Sequence, residues 1–214
     1  VCMGIEAIVV SIVILVLSVV MHEVAHGYAA NYLGDPTARL AGRLTLNPVV
    51  HVDLFGSIFL PGMLLLLGSP ILFRYAKPVP YNPYNLKGRF GEAFVAAAGP
   101  LTNFGLALVL GLILRFGYGS LPEAFIQILG SAVFLNLLLG VFNLIPIPPL
   151  DGSKVLSSLL PGVLSYRFRG FEERLAMLGP GIGFALVILV FWIFSGPFSL
   201  LLSKLFVLLT GFAL

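Results

Sequence analysis

From Ile5 to Val20 the chain has only Glu6 and two serines among its apolar positions, and helix-compatible sequence continues to Asn31. The apolar positions go all the way round and form no 3.6-residue stripe, which marks a helix surrounded by lipid or protein and not one half in water. A crossing needs about 20 such residues, within a range of about 17–25. By that measure 5–31, 91–115, 122–146 and 171–195 are predicted transmembrane helices, with a shorter one over 198–213. The run 54–68, "LFGSIFLPGMLLLLG", is short for a crossing and is interrupted by Pro61 and Gly62, so it is predicted to be a re-entrant or half-membrane segment. "ARLAGRLTLNP" (38–48) alternates small or polar with apolar residues, which predicts a strand or hairpin arm. The prolines of "RYAKPVPYNPYN" (74–85) force extended backbone. The expected fold is an α-helical polytopic membrane protein with about five transmembrane helices, the half-membrane segment 54–68 and a small membrane-surface β region. It forms one membrane-embedded unit over 1–214, with a core over about 5–160 and C-terminal helices over about 171–213.

Composition agrees, with 59% of the 214 residues hydrophobic and 10% charged. Soluble domains carry about 25% charged residues. The first apolar run has no Lys or Arg before it and no small-residue cleavage site after it, so it reads as a retained helix and not a signal peptide. The chain does not begin with Met, which leaves room for residues before Val1. Cys2 is the sole cysteine and has no internal disulfide partner. The connections 34–53, 69–90 and 147–174 hold 10 of the 12 Lys and Arg residues. The positive-inside bias therefore puts all three connections on the cytoplasmic side and the N-terminus outside, provided 54–68 dips in and returns. Those loops also explain the net charge of +3 and the pI near 9.2, so no nucleic-acid partner is expected. The sequence shows no internal repeat, low-complexity tail or appended soluble domain, and it sets no oligomeric state.

"HEVAH" changes the picture. His22 and His26 are four residues apart, so on a helix they share a face with Cβ atoms about 5–6 Å apart and can ligate one ion. Glu23 points about a quarter-turn away, where a carboxylate reaches a metal's water as general base. A charge at the bilayer centre costs about 2.5–3.5 kcal/mol, so such groups are kept mainly for function. Two of the three histidines in the chain lie in this motif. A catalytic zinc site usually needs a third protein ligand. His51 is one candidate. Asp151 in "FNLIPIPPLDGSK" is the stronger, because it follows a helix end broken by Pro146, Pro148 and Pro149, where freed backbone must be buried or line a wet cavity. The same cluster would also suit a metal-ion or proton transporter. A transporter is expected to show two related halves with broken helices, and no such repeat is present. Asn143 and Asn103 are candidates to donate to an oxyanion or to orient a ligand, and His51 to hold substrate backbone. Ser153 has no base nearby in the sequence and is set aside.

"HEVAHGY", "AAAGPLTNF" and "NLIPIPPLDG", in this order, resemble the site-2 protease family of intramembrane zinc metalloproteases, in its compact form without PDZ or CBS domains. The resemblance covers most of residues 15–160. It implies His22, His26 and Asp151 as ligands of one Zn2+ ion and Glu23 as catalytic base, with the active site toward the cytoplasmic side of the cell membrane. It also implies a single-span membrane protein or peptide as substrate, a lipid bilayer as surroundings, and the surface β region after the catalytic helix.

Overall fold

The computed structural model of the protein describes residues 5–51 and 79–212. All regular structure among them is helical. Helix α1 (Ile5–Tyr32) runs 28 residues, about 42 Å at 1.5 Å per residue, which exceeds the roughly 30 Å hydrocarbon core of a bilayer. It stops at Gly34, whose φ of 106° only glycine adopts readily. There Asp35 N–H reaches back to Ala30 C=O and Gly34 N–H to Asn31 C=O, the paired bonds of a Schellman end.

Two single turns follow, α2 (Thr37–Leu40) and α3 (Pro48–His51). Then come a 3₁₀ turn over Pro83–Asn85, α4 (Gly91–Gly117), α5 (Glu123–Asn143), α6 (Asp151–Leu159), α7 (Gly162–Met177) and α8 (Pro180–Thr210). Four of these helices, α1, α4, α5 and α8, are long and apolar enough to span a membrane. Ala107, Val133, Leu137, Leu202 and Phe206 form the buried core where α4, α5 and α8 meet. Small residues permit the close approach: a Cβ at Gly111 would lie 2.9 Å from Leu209 Cβ, so α4 and α8 can touch only because none is there. The chain is therefore a helical, multi-pass membrane protein.

Two expectations change. Residues 38–46 contain no strand: Thr37–Leu40 is helical and the chain then turns, fastened by Arg43 N–H to Ala38 C=O. Alternation over so few residues could not outweigh these local bonds, and no partner strand lies among the described residues. The separate helices expected over 171–195 and 198–213 are one 31-residue helix, α8, which runs through Pro197. Proline is tolerated inside a membrane helix at the loss of one i to i−4 bond, here the one to Ile193 C=O. The break falls instead at Gly179, with φ 95°, and charged 171–177 ends the surface helix α7. The half-membrane expectation for 54–68 lies outside the described residues. The C-terminal end of α1 and the approach to α4 lie side by side, Lys87 N–H donating to Leu33 C=O.

Candidate active site

The histidines lie in the C-terminal half of α1 with both side chains buried, and their rings meet edge to face with centroids 4.7 Å apart. Asp151 arrives as the first residue of α6, just beyond the 144–150 turn that ends α5. Gly152 makes this entry possible, since a Cβ there would collide with the carbonyls of Leu144 and Ile145. His22 Nε2 lies 3.1 Å from Asp151 Oδ2 and 3.1 Å from His26 Nε2, and His26 Nε2 lies 3.3 Å from Asp151 Oδ2.

What these atoms can do depends on where the protons are. His26 Nδ1 donates to Val95 C=O at 2.7 Å, and a carbonyl only accepts. His22 Nδ1 meets Asn103 Oδ1 at 2.6 Å. The orientation of that amide follows from a chain of bonds. Asn136 Nδ2 donates to Ala132 C=O, so Asn136 Oδ1 faces Asn103 Nδ2 at 2.9 Å and Asn103 Oδ1 faces the imidazole. Both histidines therefore carry their proton on Nδ1 and point the Nε2 lone pair inward. Two lone pairs and a carboxylate within 3.1–3.3 Å of one another repel unless a cation sits among them, and one shared proton could bridge only a single pair.

Tetrahedral zinc with bonds of about 2.0–2.1 Å sets its ligand atoms about 3.3–3.4 Å apart, close to the triangle found here. His22, His26 and Asp151 form a group that could hold a metal ion. Helix α4 packs closely on the two imidazoles: a Cβ at Gly99 would come 2.6 Å from His22 Nε2 and closer still to His26 Nε2. Glu23, half-buried and next in sequence to His22, accepts the backbone N–H of Val79 on Oε2 at 3.1 Å. One turn along α6 from Asp151, Lys154 lies with Nζ 5.2 Å from the centre of the Tyr81 ring. Burial pulls its pKa down, but Tyr81 and the carboxylates of Asp151 and Glu92 outweigh burial and raise it, so this ammonium stays charged.

The model of peptidase family M50 matches residues 10–126 and 118–190, together most of the chain. The chain belongs to peptidase family M50. This is the site-2 protease family, and its members named below are zinc metalloproteases by name. The Bacillus subtilis protein YwhC, a candidate zinc metalloprotease by its name, is 39% identical over 158 residues, covering 70% of this chain and 68% of that one. A zinc metalloprotease of Methanocaldococcus jannaschii is 27% identical over 201 residues, 91% of this chain but 46% of its own length. The Mycobacterium tuberculosis protein Rip2, again a candidate zinc metalloprotease by name, is 30% identical over 174 residues, or 81% of this chain and 62% of that one. This chain thus spans from under half to about two thirds of these relatives. No solved structure matches it. As an M50 peptidase the protein is a zinc metallopeptidase, and its two buried histidines with the partly buried Asp151 offer the two nitrogens and one oxygen that zinc takes.

Within this M50 chain the structure sorts the remaining candidates. Asn103 is fully buried and joins the site, but only its oxygen faces His22. Its nitrogen is engaged with Asn136 and, at 3.5 Å, Ser18 C=O, which fits orienting a ligand and not donating to an oxyanion. Asn143 turns its amide back onto Leu139 C=O, and His51 binds Thr45 C=O through Nε2. Neither makes a hydrogen bond to the triad among the described residues. Two participants were overlooked in the sequence. Ser18 Oγ accepts from Asn136 Nδ2, completing a buried chain from α1 through α5 and α4 back to His22. The spacing 18, 22, 26 put Ser18 on the histidine face. Asn136 had no such signal, since one polar residue in an apolar helix is as readily helix glue as site.

Proposed function

We propose that this protein hydrolyses peptide bonds within or next to the transmembrane segment of membrane-anchored, single-span substrates, in the cell membrane and with its active site toward the cytoplasmic side. His22, His26 and Asp151 hold one zinc ion, and Glu23 is the general base. The observation that carries this reading is the convergence of three proton-free acceptors, one residue from a carboxylate, inside a bundle of membrane-length helices.

Bound zinc supplies a Lewis acid that acidifies water and polarises a carbonyl oxygen. The chain's own residues do the rest. Asn103 and Val95 hold the two imidazoles with their lone pairs inward, which keeps their basicity high and their rings aimed. Glu23, with Oε2 tied to Val79 N–H, has Oε1 left to take the proton of the attacking water and later deliver it to the leaving amine. A substrate helix hides its carbonyls in i to i−4 bonds, so the scissile stretch must unwind before it can react. The proline-spaced backbone at 79–82, extended at Asn82, lies beside the base where such a stretch would enter.

The test is zinc content together with cleavage of a single-span reporter protein, for the natural chain and Glu23→Gln. Zinc retained with cleavage lost supports the protease. Zinc flux through reconstituted vesicles, or unaltered cleavage in the variant, overturns it.

A further inference from the structure

The base is tied to a strap. From Val79, whose N–H binds Glu23 Oε2, residues 79–87 run along α1 toward its C-terminal end. Asn82 N–H donates to Asp35 Oδ2 at 2.7 Å and Asn85 Nδ2 to Asp35 Oδ1 at 2.9 Å. Lys87 N–H then closes the strap onto Leu33 C=O at 2.9 Å. Between these ties Tyr81 packs on Ala29, Ala30 and Val95, the last being the residue whose carbonyl holds His26.

Asp35 is completely buried. Besides its two strap contacts, Oδ1 accepts Thr37 Oγ1 at 2.6 Å and Thr37 N–H at 3.3 Å. No Lys or Arg pairs with it among the described residues. Its charge is held by donors alone, and two of those belong to the strap. Every partner donates, so an amide nitrogen at this position would face a donor.

We propose that Asp35 is a positioning residue for the catalytic base: it anchors the strap 79–85 so that Val79 N–H holds one oxygen of Glu23 and keeps the other turned to the metal. This rests on the reading of Glu23 given above. Glutamate has three rotatable bonds, and an unrestrained carboxylate beside a wet site spreads over several rotamers, few of them productive. A backbone donor fixed from outside the helix removes that freedom. Among the described residues the Asp35 carboxylate bonds neither Glu23 nor the triad, and it is linked to the base through the strap.

The experiment compares Val79→Pro, Val79→Ala, Asp35→Asn, the Asp35→Asn/Val79→Pro double variant and Glu23→Gln in the full chain, reading zinc stoichiometry, kcat and KM on a single-span reporter. Val79 precedes Pro80 and is already biased to extended backbone, so proline there deletes chiefly the N–H. Val79→Pro is expected to keep zinc and KM while kcat falls roughly 10- to 100-fold below that of Val79→Ala, the size of a hydrogen bond to a charged group. Asp35→Asn is expected to lose kcat similarly, and the double variant to fall no further than the worse single variant, because both act on one bond. Equal kcat in Val79→Pro and Val79→Ala, or losses that multiply in the double variant, overturns the proposal. If Asp35→Asn fails to fold, Asn85→Ala, which removes one strap donor to Asp35, takes its place beside the Val79 pair, and unchanged kcat in it overturns the anchoring role. Glu23→Gln separates the two readings: full cleavage there refutes the base itself, whereas lost cleavage with an unaffected Val79→Pro refutes only the strap.

Discussion

Gly99→Ala is the smallest change that should empty the proposed zinc site. The added methyl would lie 2.6 Å from His22 Nε2 and 2.7 Å from His22 Cε1, with His26 Nε2 nearer still, whereas ordinary van der Waals contact begins near 3.4 Å. At least one imidazole, or the α4 backbone, must therefore retreat by about 0.8 Å or more. Zinc–nitrogen bonds tolerate about 0.2 Å, so the triad cannot absorb this while all three ligands stay bound. Moving α4 instead is costly, because Val95 C=O and Asn103 on the same helix hold both imidazoles. Overpacking of this kind costs about 1–3 kcal/mol, and with the distorted ligand geometry zinc affinity should fall at least about 10- to 100-fold. Glycine to alanine within a helix itself favours the folded state by about 0.5–1 kcal/mol. This offsets only part of the overpacking cost, so the metal-free variant should melt at or a few degrees below the metal-free natural protein. The assay is zinc titration against a chromophoric chelator, alongside thermal unfolding of both proteins after chelation. Unchanged zinc affinity with full cleavage would refute the close packing of α4 on the two imidazoles. A metal-free variant that melts well below its parent would show a folding defect in place of a local clash.

Asn103→Ala removes the acceptor of His22 Nδ1 and the donor to Asn136 Oδ1, and zinc affinity measured by the same titration should fall about 10- to 100-fold. Chelation of the natural protein should lower its melting temperature and re-addition of zinc restore it, since a ligand held at a thousand times its Kd contributes about 4 kcal/mol. Differential scanning of Asp151→Asn should show most of that increment gone. For Asp35, burial pushes the pKa up, but the hydrogen bonds from Thr37, Asn85 and Asn82 outweigh it and hold the carboxyl below its ordinary value. The folded pKa is the depressed one, so this stabilisation is present above the ordinary carboxylate range and is lost as pH falls through the folded value. Thermal unfolding in detergent should accordingly show the gap between the natural protein and Asp35→Asn narrowing toward acid pH. A gap that widens there would contradict the assigned bonds.

Much of this protein was legible without a structure because its determinants are local. Apolar runs of membrane length become helices wherever backbone polar groups have no water to turn to, and an i, i+4 histidine pair shares a face on any helix. Hence α1, α4 and α5, the pairing of His22 with His26, and the adjacency of Glu23 follow from order along the chain. Asp151 was reachable too, but only as a candidate, since 129 positions separate it from His22 and nothing local brings them together. Tertiary structure made the remaining decisions. It kept α8 continuous through Pro197, where hydropathy alone pointed to two helices. It chose helix and turn for 38–46, where alternation pointed to a strand with no partner to pair with. Among polar residues of nearly equal promise it drew Asn103 and Asn136 into the buried network and left Asn143 bonded to its own helix. Which way an amide faces in a packed bundle depends on what the next helix offers, and that depends on contacts far apart in the chain.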